Sequence, residues 1–115
     1  MNNFGIKVLS SLIIGLLIFV HASQAAETND VYTIAISDHH FSPQELVVPA
    51  HQKIKLIVEN RDPTAEEFES YDLNREKIVG GKSSITLHIG PLKPGTYKYF
   101  GEFHQNTAQG TIVAQ

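Results

Sequence analysis

Six carboxylates fall within the 15 residues from Asp62 to Glu76: Asp62, Glu66, Glu67, Glu69, Asp72 and Glu76, with Arg75 the one opposing cation. Half of the chain's 12 acidic residues are therefore concentrated in one short segment. In an extended strand, residues two apart share a face, so Glu67 and Glu69 project together while Phe68 and Glu66 point the other way. Like charges at that spacing disfavour one another. A bound cation, or a neighbouring imidazole or ammonium, relieves the cost. Carboxylate and imidazole donors suit Fe and Mn, and Cu(II) in a tetragonal N,O site, but not Cu(I). The same run also suits a solvated acidic surface, and charge alone leaves both readings open. Phe68 favours the metal reading, because an apolar anchor inside the run fixes the directions of its neighbours.

Other donor types narrow the chemistry. The 115 residues include six histidines, no cysteine, and a single methionine at position 1. The absence of cysteine excludes disulfides, thiol redox chemistry, iron–sulfur clusters and thiolate metal sites. The pair His39-His40 falls in a short loop and reads as an exposed turn. His51 and His88 lie on the polar faces of strand patterns and receive no role. The 12 acidic residues face nine basic ones, and Lys7 belongs to an N-terminal leader, so the remaining chain carries a net charge of −4. A nucleic-acid surface would need clustered Lys and Arg, which this chain lacks.

The elements that must position these residues are strands. Before them stands a secretory leader: Lys7, then an apolar run from Val8 to Val20 interrupted by Ser10 and Ser11, then His21-Ala22-Ser23-Gln24-Ala25-Ala26. That is the order of a signal peptide, with Ser23 and Ala25 at the −3 and −1 positions. The run is shorter than the roughly 20 residues of a spanning helix. The expected division is a signal peptide over 1–25 and one domain over 26–115, exported to the periplasm and not membrane-spanning after cleavage.

Within the domain, the alternation of Tyr32, Ile34 and Ile36 predicts a strand over Val31–Ser37. Glu45–Val48 forms another, stopped by Pro49. Ile54, Leu56 and Val58 face inward from Lys53–Glu59. Further strands are expected over Glu67–Tyr71, Ser83–Ile89, Thr96–Phe100 and Gly110–Ala114, with His39–Pro43, Asn60–Thr64 and Gly80-Gly81 as connections. Several short strands bounded by turn residues indicate an all-β sandwich or barrel. Pro94-Gly95-Thr96-Tyr97 has the form of a corner at which a tyrosine hydroxyl ties a strand to an adjacent turn, a device of Greek-key sandwiches.

The order of these features resembles the cupredoxin family. Phe41-Ser42-Pro43, Glu45–Ala50 and Ile54–Asn60 look like the first half of such a domain. Leu92–Gly101, His104 and Gly110–Val113 look like its second half. The resemblance implies a Greek-key β-sandwich. A blue-copper member carries Cys, His and usually Met near its end, plus an earlier His. Here Gly101 stands about where the cysteine would be, His104 matches the later histidine, Thr107 stands about where the methionine would be, and the early-histidine region reads Thr64-Ala65-Glu66-Glu67-Phe68-Glu69-Ser70. A blue electron-transfer site is excluded, since it needs the thiolate.

The replacement pattern is similar to a narrower group: periplasmic cupredoxin-like proteins found with bacterial iron-uptake systems. Glu66–Ser70, Glu76-Lys77, Gly90–Gly95 and Gly101–His104 carry that likeness. It implies an iron ion, a copper ion or both, held by Glu67, Glu69, Glu102 and His104, with assistance to Fe(II) oxidation as the enzymatic option. The implied partner is an inner-membrane iron permease or an associated periplasmic protein. A loop histidine bonded to a backbone carbonyl is the other reading of His104. Two further functions fit the same chain: a metal-free adaptor that kept the sandwich, and a periplasmic copper carrier, the latter weakened by the near absence of sulfur.

Overall fold

A computed structural model describes Gly5, residues 15–20 and residues 30–115. Most of the expected signal peptide and its cleavage region lie outside the described residues. Among those described, no helix is long and apolar enough to cross a membrane.

Among the described residues, nine strands build two mixed sheets: β1 (Val31–Ser37), β2 (His40–Ser42), β3 (Glu45–Val48), β4 (Ile54–Asn60), β5 (Glu66–Ser70), β6 (Arg75–Val79), β7 (Ser84–Ile89), β8 (Gly95–Gly101) and β9 (Gln109–Ala114). One sheet has the order β2-β1-β4-β7 and the other β3-β9-β8-β5-β6. Two pairs, β1 with β4 and β3 with β9, run parallel, and the rest are antiparallel. The all-β sandwich read from the sequence is thus the fold.

The alternation of apolar residues explains the layering. Ile54, Leu56 and Val58 of β4 are buried, as are Leu87 and Ile89 of β7 and Ile112 of β9. An aromatic cluster spans the two sheets. Phe41 stands edge-on to Phe68 and Tyr99, with centroids 6.3 and 4.9 Å away, and Phe68 stacks on Tyr99 at 5.1 Å. Such arrangements suit the ring quadrupoles. The hydroxyl of Tyr97 donates to the Lys93 carbonyl at 2.7 Å, closing the expected corner.

The structure departs from the sequence reading in two elements, and the ends of β4, β5, β7, β8 and β9 shift by one residue. His40–Ser42, read as loop, is a strand paired with Ala35–Ser37. Strand β6, which sequence reading left unassigned because it lacks clean alternation, pairs along the whole of β5. Strand β5 starts at Glu66, one residue earlier than expected.

Candidate metal centre

Strand β5 determines the site by its two faces. Phe68 is fully buried against the core, so Glu66, two residues before it, also points inward, while Glu67 and Glu69 lie on the opposite face of the strand, Glu67 half-buried and Glu69 buried. Glu66 is 1% exposed. A carboxylate so deeply buried must be hydrogen-bonded, and it is. Its Oε1 accepts from the backbone amides of Glu67 at 3.0 Å and Phe103 at 2.8 Å. Its Oε2 lies 2.5 Å from Nδ1 of His104.

His104 reaches this position because the chain after β8 folds into a 3-10 helical turn, Glu102–His104. The His104 carbonyl accepts from the amides of Thr107 and Ala108 at 3.2 and 2.8 Å, and the Gly101 amide donates to the Ala108 carbonyl at 2.8 Å. Gly101 makes room for the glutamate: a Cβ there would lie 2.6 Å from Glu66 Cδ and 2.7 Å from Ala108 Cβ. The carboxyl of Glu66 thus fills the space into which a side chain at 101 would extend.

The third member comes from the β1–β2 hairpin. Its two-residue turn is Asp38-His39, both at positive φ, 50° and 59°, as a turn matching the strand twist requires. The turn sets the His39 ring flat on that of His104, with centroids 3.5 Å apart and planes 13° from parallel. Ligand atoms of His39, Glu66 and His104 all lie within 4.8 Å of one another. The two imidazoles are partly exposed while the carboxylate is buried, so the group opens to solvent through the histidines.

The outer face of β5 carries a separate group. Glu67, Glu69 and Glu76 present oxygens within 4.8 Å of one another, Glu76 standing opposite Glu69 on β6. A hydrogen bond to Glu76, then burial and the charges of Glu76, Glu69 and Glu102, push the Glu67 carboxyl up to about 7. Burial, then the charges of Glu76 and Glu102, also raise that of Glu69, against a hydrogen bond with Glu67. The four residues expected to act together from the sequence are therefore divided. Glu67 and Glu69 cluster with Glu76 and feel the charge of Glu102, whereas His104 meets Glu66 and His39 on the inner side. Strand alternation already put Glu66 opposite Glu67 and Glu69. What it could not show is which face the His104 turn closes over. His39 was missed because its hairpin partner β2 read as loop.

A family model described as a cupredoxin-like domain matches residues 10–114. The chain belongs to the cupredoxin-like domain family. This cupredoxin-like chain is 46% identical over 106 residues to the uncharacterized protein RP394 of Rickettsia prowazekii (strain Madrid E), covering 89% of this chain and 85% of that one. Among solved structures it is similar to auracyanin A, a "blue" copper protein from Chloroflexus aurantiacus, with a TM-score of 0.63 and 15% identity over 74% of this chain and 98% of that one. It is also similar to amicyanin from Paracoccus versutus, with a TM-score of 0.58 and 14% identity over 75% of this chain and 82% of that one. At those identities the likeness is one of fold.

The fold family implies copper, and the donor set decides what kind of site fits. A thiolate site does not, because the chain has no cysteine. Two imidazoles and one carboxylate fit Cu(II) with N,O ligands, and they are equally the set that non-haem Fe(II) sites use.

Proposed function

We propose that this domain is a periplasmic metal-binding component of a bacterial iron-uptake system, holding an iron or copper ion with His39, Glu66 and His104. The observation that carries the reading is the convergence of two imidazoles and a buried carboxylate, with ligand atoms within 4.8 Å of one another. Nδ1 of His104 and Oε2 of Glu66 lie 2.5 Å apart, and with no proton between them the two atoms would be a pair of donors. The donor set serves either metal, and iron is favoured over a purely copper role by the likeness of Glu66–Ser70 and Gly101–His104 to iron-uptake-associated cupredoxin-like proteins. Anionic oxygen stabilises Fe(III) over Fe(II), so the Glu66 carboxylate would favour the ferric state of an iron ion held there. An inner-membrane iron permease, or a periplasmic protein that feeds it, is the partner this reading implies.

The outer carboxylates Glu67, Glu69 and Glu102 are the competing ligands, and titration calorimetry separates the two groups. With Cu(II), Mn(II) and anaerobic Fe(II) as probes, Glu66→Gln and His104→Ala are expected to weaken binding by at least ~10-fold, the lower end of what even outer-shell changes cost. Glu67→Gln, Glu69→Gln and Glu102→Gln should stay within about 3-fold of the parent, since outer-face charges act only through screened electrostatics. The reverse ranking places the metal on the outer face of β5. A parent that binds none of the three ions supports the adaptor reading.

A further inference from the structure

We infer that Asp62 is the positioning residue of the site: it clamps the Asp38-His39 turn and orients the His39 ring so that Nε2 is the nitrogen presented to a metal. The inference rests on the metal-binding reading of His39, Glu66 and His104. Asp62 itself lies outside that group, in the loop between β4 and β5, and no other side chain contacts both the backbone and the ring of His39 among the hydrogen bonds and ion pairs of the described residues.

Three contacts carry it. Asp62 Oδ1 accepts from the amide of Asp38 at 2.7 Å, Oδ2 accepts from the amide of His39 at 3.0 Å, and Oδ2 also lies 3.4 Å from Nδ1 of His39. The two amides belong to the two residues at positive φ. Neither is glycine, and such a conformation costs an ordinary residue energy that its surroundings must offset. One carboxylate holds both amides and so holds the strained turn shut.

The ring contact adds an orientation that a clamp alone does not require. Nδ1 is the ring nitrogen turned toward the Asp62 carboxylate, at 3.4 Å, and a proton held at Nδ1 leaves the Nε2 lone pair for a metal.

The clamp is itself anchored. The amide of Asp62 donates to Oδ1 of Asn60 at 3.0 Å, and Nδ2 of the fully buried Asn60 donates to the carbonyls of Thr64 and Val79. The Lys82 amide donates to the Asp62 carbonyl at 2.8 Å, and the Arg61 amide to the Ile36 carbonyl at 2.9 Å. The loop that leads into Glu66 is therefore the same loop that places His39, so two of the three donors share one support.

The experiment is a double-mutant cycle on the full domain, read by Cu(II) affinity and by the nitrogen hyperfine pattern in electron paramagnetic resonance. Asparagine at 62 keeps the shape but turns one acceptor into a donor, which faces either a backbone amide or the His39 ring. Asp62→Asn is expected to weaken Cu(II) binding by ~10–100-fold and to reduce the signal from two coordinated imidazole nitrogens to one. His39→Gly should do the same. In the His39→Gly background, Asp62→Asn should cause no further loss, because its effect runs through His39. If Asp62→Asn keeps two nitrogens, or if it lowers affinity by the same factor with His39 already removed, the inference is overturned while the metal reading stands. A parent that takes up no Cu(II) overturns both. Should Asp62→Asn unfold the apo-protein, the cycle is run with Asp38→Gly throughout, since glycine accepts the positive φ without strain.

Discussion

Glu66 and Glu67 are neighbours in sequence with opposite surroundings. Glu66 is buried, holding two backbone amides and an imidazole. Glu67 faces outward among Glu69, Glu76 and Glu102, and its carboxyl is pushed up from 4.5 to about 7, first by the hydrogen bond to Glu76. The sign of the consequence follows from linkage. A carboxyl with a higher value folded than unfolded binds more protons in the folded state between the two values, so folding stability falls as pH rises through that window. The metal-free protein is therefore expected to melt at a lower temperature at pH 8 than at pH 5. Replacing Glu76→Gln should shrink that difference, because it removes the charge that holds the Glu67 proton. Calorimetric melts at the two pH values check this, and an unchanged difference would show that the outer carboxylates ionise independently.

At the scale of elements, β5 and β8 share the site through one vacancy. Phe68 pairs with Gly101 across the sheet, and Gly101 leaves the space that the Glu66 carboxyl occupies. Gly101→Ala would set a Cβ 2.6 Å from Glu66 Cδ, with Ala108 Cβ close on another side. Overpacking of this kind costs about 1–3 kcal/mol. In a Glu66→Ala background the added methyl enters the space that the carboxyl vacated. The two substitutions should therefore be non-additive by at least ~0.5 kcal/mol, as expected for residues sharing a cavity. Urea denaturation of the two single variants and the double variant measures this. Simple additivity would mean that Gly101 and Glu66 do not compete for one volume.

At the scale of the molecule, the site lies where the β1–β2 hairpin, the β4–β5 loop and the turn after β8 meet at one end of the sandwich. A ligand that joins three segments stabilises only the folded state. At ~100 times its dissociation constant it adds roughly 2.7 kcal/mol. For a domain of this size that is a rise in melting temperature of about 10–20 °C, at roughly 4–8 °C per kcal/mol. The rise should appear with Cu(II) or Mn(II) and vanish in His104→Ala, while the Cu(II)-loaded protein should lack an intense blue band, since no thiolate is present. A melting temperature that no metal moves would leave the sandwich as a scaffold for another partner.

Composition and period were enough for much of this. The alternation of Ile54, Leu56 and Val58 within Lys53–Glu59, broken only by Ile57, and of Ile85, Leu87 and Ile89 within Ser83–Ile89 marked both as strands, because side chains in a strand can face only two ways. The missing cysteine excluded a thiolate centre whatever the fold. The corner at Tyr97 was legible because its turn residues are local. The alternation of β5 separated Glu66 from Glu67 and Glu69, but the face that meets His104 was decided by how the chain after Gly101 turns inward over β5, and nothing in the local sequence encodes that direction. His39 was further out of reach. Its position depends on a three-residue strand too short to show a period and on two amides held by Asp62, 23 residues further along the chain. Local patterns act over a few residues, whereas a group assembled from a hairpin turn, the start of a strand and a 3-10 turn is set by contacts that only the closed sandwich brings together.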